Sequence, residues 1–352
     1  MSDQTLESEI ISLSDDSIEA VYERAAELGW IEGLPIIPPT ADRVKRMMAG
    51  SSRQPQEVVA NIPPNNAPAT IEKIAINAVM AGCKPEYMPV VVTAIEACAD
   101  PEFNLYALNT TTSSVSQLLI VNGPIRNELA INCGYSVFGG ANARANATIG
   151  RAVRLVMRNI GGSIEGSVSK STMGNPLRIT GCVGEWEEKS PWPALSVQRG
   201  LNPDQDAVTV FGAQGTLNLQ DVSCKTAEGL LTVLAHSIDC SATNMVLGKL
   251  DSAQILLALC PDFAFIISRD GWSVEDARQF IFEQTSAVSL ERWPKELHGP
   301  MEDRGRIVTG VVPLAARPDQ FLIMVAGGLG GLHAIACHSF AEGDAVTKPI
   351  TR

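Results

Sequence analysis

A glycine-rich bend with the sequence FGGAN precedes a predicted helix and is the first candidate for a binding site. Gly139 and Gly140 would let a ligand approach the backbone closely, and Asn142, Arg144 and Asn146 add polar groups at the helix start. Unpaired backbone N–H groups at a helix N-terminus attract carboxylate or phosphate. The bend therefore predicts an anion site, and a helix start packed tightly on a sheet is the alternative. The pattern is not a nucleotide-binding motif.

A second glycine-rich turn, GGLGG, lies between two predicted strands near the C-terminal end of the chain. Gly328 and Gly330 belong to this turn, and His333 follows it. Such a run predicts positive φ angles or the close approach of a ligand, although a tight turn between buried strands fits equally well. An imidazole titrates near neutral pH, so His333 is the candidate general base.

A run of hydroxyl and amide side chains, NTTTSS, lies between two predicted strands. Asn109, Thr110 and Thr111 begin this run. Polar side chains at a strand end can bind a small polar substrate. Ordinary loop residues are the alternative interpretation.

Carboxylates flank a tryptophan in the segment GEWEEKSPW. In a strand, Glu185 and Glu187 would point to one face, and Glu188 to the other. Glu185 is therefore a candidate catalytic acid with a raised pKa, or a source of metal oxygens. A solvated strand end is the alternative.

Cys133 is the candidate nucleophile among eight cysteines, and Cys83 is the second choice. Cys133 lies shortly before the FGGAN bend and an arginine-rich helix, where positive charge would lower its pKa. A small buried hydrophobic residue is the alternative role. No Cys-x-x-Cys or His-x-x-x-His pair occurs, so the metal content and the cofactor stay unknown at this stage.

The elements that must position these residues predict an α/β (or α+β) fold with layered helices on a mixed sheet. Residues 1–68 are expected to form an N-terminal helical arm and a Pro-rich linker, and residues 69–352 the main body. Strands are predicted in the main body at residues 103–108, 117–121, 178–186, 207–211, 255–260, 306–312, 321–326 and 332–337.

Two segments of the main body resemble each other. Residues 92–124 and 231–261 both read as a helix, a polar link and an apolar strand that ends near proline. Two pseudo-symmetric β/α units with a cleft at their junction are one interpretation, with lobes at 69–222 and 223–352. A chance likeness between two helix–strand pairs is the other.

Composition and charge limit the possible partners. The formal net charge is −12, which disfavours nucleic acid and anionic membrane surfaces. Arginines at 144, 151, 154 and 158 have helical spacing and predict one face of a helix. The chain shows no basic-then-apolar leader and no apolar run of membrane-spanning length, so a soluble cytoplasmic protein is expected. A homo-oligomer is the default expectation for such an enzyme.

Several strings together resemble a largely uncharacterised bacterial family. They are EGLPIIPPT, GCKPEYMPVV, NGPIR, RANATIGRAVRL, RDGWS, VAGG and VTKPI. The family is associated with small selenoprotein-like proteins that carry a Sec-Gly-Ser-Cys motif. The resemblance implies a bacterial cytoplasmic metabolic protein near redox or carbon–heteroatom bond chemistry. This chain has no Cys-Gly-Ser-Cys sequence of its own.

Three functions follow as hypotheses. The first is an enzyme that acts on a small anionic metabolite, as a lyase or hydratase. The second is a thiol-dependent oxidoreductase or an enzyme of reductive carbon–heteroatom bond cleavage. The third is a ligand-binding subunit without catalysis.

Overall fold

The computed structural model describes residues 6–139, 143–241 and 248–352. The helices of the described residues are α1 (Ile18–Glu27), α2 (Ala41–Met48), α3 (Ile71–Ala81), α4 (Met88–Cys98), α5 (Leu105–Thr110), α6 (Ile125–Glu128), α7 (Arg144–Asn159), α8 (Leu195–Gln198), α9 (Ala227–Ser241), α10 (Pro261–Arg269), α11 (Val274–Thr285) and α12 (Lys295–Asp303). The strands are β1 (Val58–Ile62), β2 (Ala67–Thr70), β3 (Ser116–Asn122), β4 (Cys182–Gly184), β5 (Ala207–Ala213), β6 (Leu217–Gln220), β7 (Ile255–Leu259), β8 (Phe321–Val325), β9 (His333–His338) and β10 (Val346–Pro349).

Two four-stranded mixed sheets form the centre of the molecule. The first has the order β10-β5-β3-β4, and the second has the order β6-β9-β7-β8. In each sheet one pair is parallel, β3 with β4 and β7 with β8. The neighbouring pairs are antiparallel in both sheets. The predicted α/β (or α+β) class, with helices on mixed sheets, is confirmed.

The two sheets exchange their outer strands. Strand β6 follows β5 in the chain but pairs with β9 of the second sheet, and β10 follows β9 but pairs with β5 of the first. At the crossing point Ala213 and Ser339 form an antiparallel bridge. Each sheet therefore takes one strand from the other half of the chain. The division into lobes at 69–222 and 223–352 stays a prediction.

The repeated segments noticed in the sequence occupy equivalent places. Helix α4 leads to β3 and then to α6, and helix α9 leads to β7 and then to α10. Gln117, near the start of β3, and Pro124, after its end, have the same spacing as Gln254 and Pro261, which precede and follow β7. The structure therefore contains two β/α units of the same topology.

Four layers result from the alternation of side chains along the strands. Leu118 and Ile120 of β3 share a buried cluster with Leu256 and Ala258 of β7, which lies between the sheets. The alternate residues of each strand point outward, because successive side chains in a strand face opposite sides. They join one cluster with α3, α4 and α7, and another with α9, α10 and α11.

The N-terminal segment packs into the first of these outer layers. Val44, Met47 and Met48 of α2 are buried in the same cluster as α3 and α4. Residues 50–68, which we predicted as an irregular linker, contain β1 and the start of β2, an antiparallel pair. Ile62 of this hairpin is fully buried. The helical arm is therefore part of the core packing.

Two predicted strands are absent from the described structure. Residues 103–108 are helical: Asn104 adopts a left-handed conformation and its side chain caps α5 by accepting from the Ala107 N–H. Residues 306–312 make only isolated bridges to Ser289 and within the segment. Apolar runs of this length fit either a short helix or a strand, and tertiary contacts decide between them. Among the described helices none is long and apolar enough to cross a bilayer.

Helix α7 approaches the first sheet through a glycine. A Cβ atom at Gly150 would lie 2.5 Å from the Thr180 hydroxyl and 2.6 Å from the Gly181 nitrogen. We expect Gly150→Ala to lower the free energy of unfolding by about 1–3 kcal/mol, because overpacking outweighs the better helix propensity of alanine. Urea denaturation would measure this loss.

A double variant, Gly150→Ala with Thr180→Ala, tests the cause. It removes the flexible hydroxyl but leaves the Gly181 backbone in place, so stability should not recover. An unchanged unfolding midpoint in the single variant would contradict this account of the α7 packing.

Candidate functional site

A cleft opens at the carboxyl ends of the parallel strands β7 and β8. Ligand sites in α/β proteins commonly lie outside the carboxyl ends of parallel strands. The cleft has a volume of about 250 Å³. Its lining is formed by Tyr135, Val137, Phe138, Ala258, Cys260, Ala326, Gly327, Gly328, Leu329, Gly331, His333, Ala334 and Ile335. We call it the glycine-turn cleft. Residues 135–138, from the segment after α6, line it together with residues at and after the strands β7, β8 and β9.

The glycine turn owes its shape to backbone conformations that favour glycine. Gly327, Gly330 and Gly331 have φ angles of +102°, +111° and +70°. The Gly330 N–H donates to the Asp262 carboxylate at 3.1 Å, and the Gly327 N–H donates to the Cys133 carbonyl at 2.9 Å. The turn is thus tied to α10 on one side and to the Cys133 segment on the other.

Gly328 has a different role from its neighbours. A Cβ atom at this position would lie 2.1 Å from Cδ1 of Tyr135, so the glycine makes room for a ring of the protein itself. Tyr135 is 66% exposed and covers one side of the cleft. The close approach predicted from the glycine run therefore occurs, but at Gly328 its partner is Tyr135.

His333, Cys260 and Tyr135 are the side chains in the lining of the cleft that can transfer protons. His333 is the exposed first residue of β9, and its carbonyl accepts from the Cys260 N–H at 3.3 Å. Cys260 follows the apolar strand β7 and precedes Pro261, the first residue of α10. Burial raises the pKa of the Cys260 thiol, and hydrogen bonds from the backbone at Phe263 and His333 oppose that rise.

The sequence did not identify Cys260 as a site residue. Its apolar context indicated a buried thiol, and the side chain is indeed buried. A signal was nevertheless present in the repeat. Cys260-Pro261 follows β7 as Gly123-Pro124 follows β3, so both pairs mark the carboxyl end of a central strand.

Glu185 lies outside the cleft, at the carboxyl end of β4, and is completely buried. Its carboxylate accepts from the Leu195 N–H and the Asn122 side chain, each at 2.7 Å, and from the Val325 N–H at 3.4 Å. It thereby joins β3 and α8 to β8 of the second sheet. Burial raises the pKa of Glu185 to about 7, although the hydrogen bonds oppose this shift.

The strand predicted at residues 178–186 is limited to β4, Cys182–Gly184, and it ends before the carboxylates. Glu187 and Glu188 lie in a 3-10 helix, so Glu185 and Glu187 do not alternate along a strand. Glu187 accepts from the Gly123 N–H at 2.8 Å, and it pairs with the buried Arg126 at 3.0 Å. Arg126 also pairs with Glu188. These contacts close the carboxyl end of the first sheet.

Cys133 lies beside this ion-pair group and does not line the glycine-turn cleft. Burial raises the pKa of the Cys133 thiol, and the positive charge of Arg126 opposes the rise. The positive neighbour that we predicted is therefore present, but it is Arg126 and its effect is outweighed. The thiol is protonated at neutral pH.

The anion site at the FGGAN bend stays a prediction, and the described groups around it are used within the protein. Gly140 and Asn142 lie outside the described residues. The Gly139 N–H already donates to the Ser136 carbonyl at 3.2 Å. Arg144 donates through two nitrogens to the Gly82 carbonyl, at 2.9 and 3.2 Å, and so caps the end of α3.

Asn146 is also used by the protein itself. Its oxygen accepts from the Asn132 N–H at 2.7 Å, and its nitrogen donates to the carbonyls of Asn132 and Cys182 at 2.9 and 3.1 Å. An apolar cavity of about 140 Å³ lies next to it, on the other side of Val137 and Phe138. Both N–H donors of Asn146 are already used, so it has none left for an anion there.

The NTTTSS run is not placed at the cleft. Asn109 and Thr110 end helix α5, and Thr111 follows it. Asn109 is buried and donates to the Pro63 carbonyl at 2.8 Å. The Thr110 hydroxyl donates to the Tyr106 carbonyl, and the Thr111 hydroxyl accepts from the Ser113 N–H. These contacts stabilise the local backbone, and the role of the three residues as substrate ligands stays a prediction.

Within residues 6–139, 143–241 and 248–352, no group of three or more His, Cys, Asp or Glu side chains is arranged to hold a metal ion. A scan against protein-family models matches none of them, and a search of curated proteins returns no match.

The buried Glu185 predicts a pH-dependent stability. Its pKa is raised in the folded state, so its favourable contribution is complete below about pH 4.5 and is lost as the pH rises through about 7. The total loss should be about 3 kcal/mol, and Glu185→Gln should remove this pH dependence. Urea denaturation of both proteins at pH 5, 6, 7 and 8 measures the difference.

Two other groups, Glu188 and His338, also change the stability of the protein with pH, each over its own pH range. The pKa of Glu188 is lowered from 4.5 to about 2. Its contribution to stability is therefore lost as the pH falls from about 4.5 to about 2, which lies below the pH values of the urea denaturation. Burial lowers the pKa of His338 to about 4, which gives stability that rises with pH between about 4 and 6.5. Both remain in Glu185→Gln. Parallel stability curves for the two proteins would contradict the role of Glu185.

Proposed function

We propose that this protein is an enzyme that acts on a small anionic metabolite in the glycine-turn cleft, as a lyase or hydratase. The observation that carries the proposal is that His333 and Cys260 line one cleft at the carboxyl ends of β7 and β8. Its volume of about 250 Å³ suits a small metabolite. His333 is the general acid–base.

Proton transfer is the chemistry that this lining supports. A lyase or hydratase removes or adds a proton next to a carboxylate or carbonyl group, and a positioned imidazole is the commonest side chain for that step. His333 is exposed at the start of β9, where substrate can reach it. The base therefore lies at the open side of the cleft and the Cys260 thiol at its buried side.

The N-terminus of α10 supports a negatively charged substrate. Cys260 is the N-cap of this nine-residue helix, with proline at its first position. The positive end of the helix dipole therefore lies next to the cleft, where it favours a carboxylate. Asp262 in the first turn holds Gly330 and opposes this effect in part.

The second candidate function is a thiol-dependent oxidoreductase or reductive carbon–heteroatom bond cleavage. The position of Cys260 at a helix N-terminus favours it, because such a position stabilises a thiolate. The raised pKa of Cys260 weighs against it. The resemblance to the family associated with Sec-Gly-Ser-Cys proteins supports a redox role. A bacterial, cytoplasmic homo-oligomer belongs to both proposals.

Deuterium exchange tests the proton-transfer proposal. The wild-type protein is incubated in D₂O with a panel of hydroxy and α,β-unsaturated carboxylates, and exchange into each compound is followed by mass spectrometry. We expect His333→Asn to slow the exchange by about 100-fold or more, because general acid–base catalysis contributes that much. His236→Asn, at an exposed histidine of α9, is the matched control and should leave the rate unchanged.

The same panel separates the alternatives. Equal exchange rates in wild type and His333→Asn would reject His333 as the base. Saturable binding of a compound without exchange or product would favour the non-catalytic ligand-binding subunit.

The two thiols give a further prediction. Under the proton-transfer proposal, Cys133→Ser retains full exchange activity, because its thiol lies outside the cleft and is protonated. Cys260→Ser should retain most of it, since serine preserves the size and the hydrogen bonding of the side chain. Abolished turnover in Cys260→Ser with an unchanged unfolding midpoint would favour the thiol-dependent function instead.

A further inference from the structure

Three arginines converge on one carboxylate at the amino end of β3. Arg154 and Arg158 extend from the second half of α7, and Arg178 ends a 3-10 helix before β4. The Glu165 carboxylate lies 2.7 Å from Arg154 Nη2, 2.7 Å from Arg158 Nη1 and 3.4 Å from Arg178 Nη2. We call these four residues the arginine cluster.

The charges of the arginine cluster do not balance. Three guanidinium groups face a single carboxylate, which leaves two positive charges. The side chains of Arg154 and Arg178 are only 7% and 9% exposed, so water screens them poorly. The excess is notable in a chain with a net charge of −12. By contrast, Arg151 of the same helix pairs with one carboxylate, Glu32, at 2.6 Å.

The hydrogen bonding of the cluster is incomplete as well. The Nε atom of Arg158 is buried and has no hydrogen-bond partner. Arg178 Nη2 donates to the Ser169 hydroxyl at 2.6 Å, and Arg154 Nη2 reaches the Ser163 carbonyl at 3.4 Å. A guanidinium group matches the oxygens of a phosphoryl group through paired N–H donors. The cluster therefore presents more donors than the protein supplies acceptors for.

The pKa directions agree with this excess of positive charge. Burial, and then the neighbouring charge of Arg178, lower the pKa of Arg154. Burial would raise the pKa of Glu165. The charges of Arg154 and Arg178, together with hydrogen bonds to the carboxylate, outweigh the effect of burial and lower this pKa. The carboxylate is thus charged at neutral pH and still leaves the guanidinium groups undercompensated.

Glu165 is the most exposed member of the cluster, with a side-chain exposure of 49%. It belongs to the loop between α7 and the 3-10 helix, and Gly162, Gly166 and Gly174 of this loop have positive φ angles. The buried arginines are held by the helix and by the Val115 carbonyl, which accepts from Arg178 at 2.9 Å. The carboxylate can therefore leave while the arginines stay in place.

We propose that the arginine cluster binds a dianionic phosphoryl group, and that Glu165 occupies this site when the ligand is absent. A dianion takes the donors that Glu165 occupies and displaces this carboxylate to the rim. There Glu165 still offsets one of the three positive charges, and the dianion neutralises the other two. The site is separate from the glycine-turn cleft. It lies at the amino end of β3, whereas the segment with Tyr135 follows its carboxyl end, about 20 Å along the strand.

Calorimetric titration with inorganic phosphate, and separately with glycerol phosphate, tests the proposal at constant ionic strength. Glu165→Gln removes the competing carboxylate and should tighten phosphate binding by about tenfold. Adding Arg158→Gln to that variant should weaken binding by about tenfold, through the loss of a charge-assisted contact. Glu32→Gln is the matched control, since its carboxylate serves one arginine, and it should bind phosphate as the wild type does.

The outcomes are distinct. Equal binding of phosphate and glycerol phosphate supports a site for free phosphate, and tighter binding of the ester supports a phosphorylated metabolite. No saturable binding in wild type or Glu165→Gln overturns the proposal. Binding that Arg158→Gln leaves unchanged also overturns it. Circular dichroism confirms that each variant is folded, and Arg178→Lys replaces Arg158→Gln if that variant is not. None of these results depends on the activity of the cleft.

Discussion

The packing of two mixed sheets against each other is the constraint on which the rest of the structure depends. Their inner faces form a common apolar cluster through Leu118 and Ile120 on one side and Leu256 and Ala258 on the other. Because the central strands β3 and β7 are buried on both faces, their middle residues are apolar. Polar chemistry is consequently confined to the strand ends and to the loops that follow them. The exchange of β6 and β10 then ties the two halves into one core.

The carboxyl ends of the parallel strands carry different residues in the two sheets. In the first sheet Glu185, Glu187 and Arg126 occupy this end with ion pairs and hydrogen bonds. In the second sheet the equivalent positions carry the glycine turn, Cys260 and His333, and a cleft remains. The same topology thus produces an end occupied by ion pairs and an open end. The difference arises from side-chain size and charge, and the proposed chemistry belongs to the open end.

The arginines of α7 show how one helical face can serve several purposes. Spacing alone placed Arg144, Arg151, Arg154 and Arg158 on a helix, which the structure has. Arg144 caps α3 and Arg151 pairs with Glu32, so these two are matched by the protein. Arg154 and Arg158 share one carboxylate with a third arginine. No spacing rule distinguishes the first pair from the second, because the partners come from distant parts of the chain.

The sequence by itself determined the class of the fold and the apolar strands β3, β5, β7, β8 and β9, because their pattern reflects local geometry and burial. It also indicated the glycine turn beside His333. Only the tertiary structure decided which strands join which sheet, that residues 103–108 are helical, and that Asn146 and Glu185 are hydrogen-bonded within the protein. Strand partners and hydrogen-bond partners are non-local. A residue's capacity to bind a ligand depends on what folding has already placed against it.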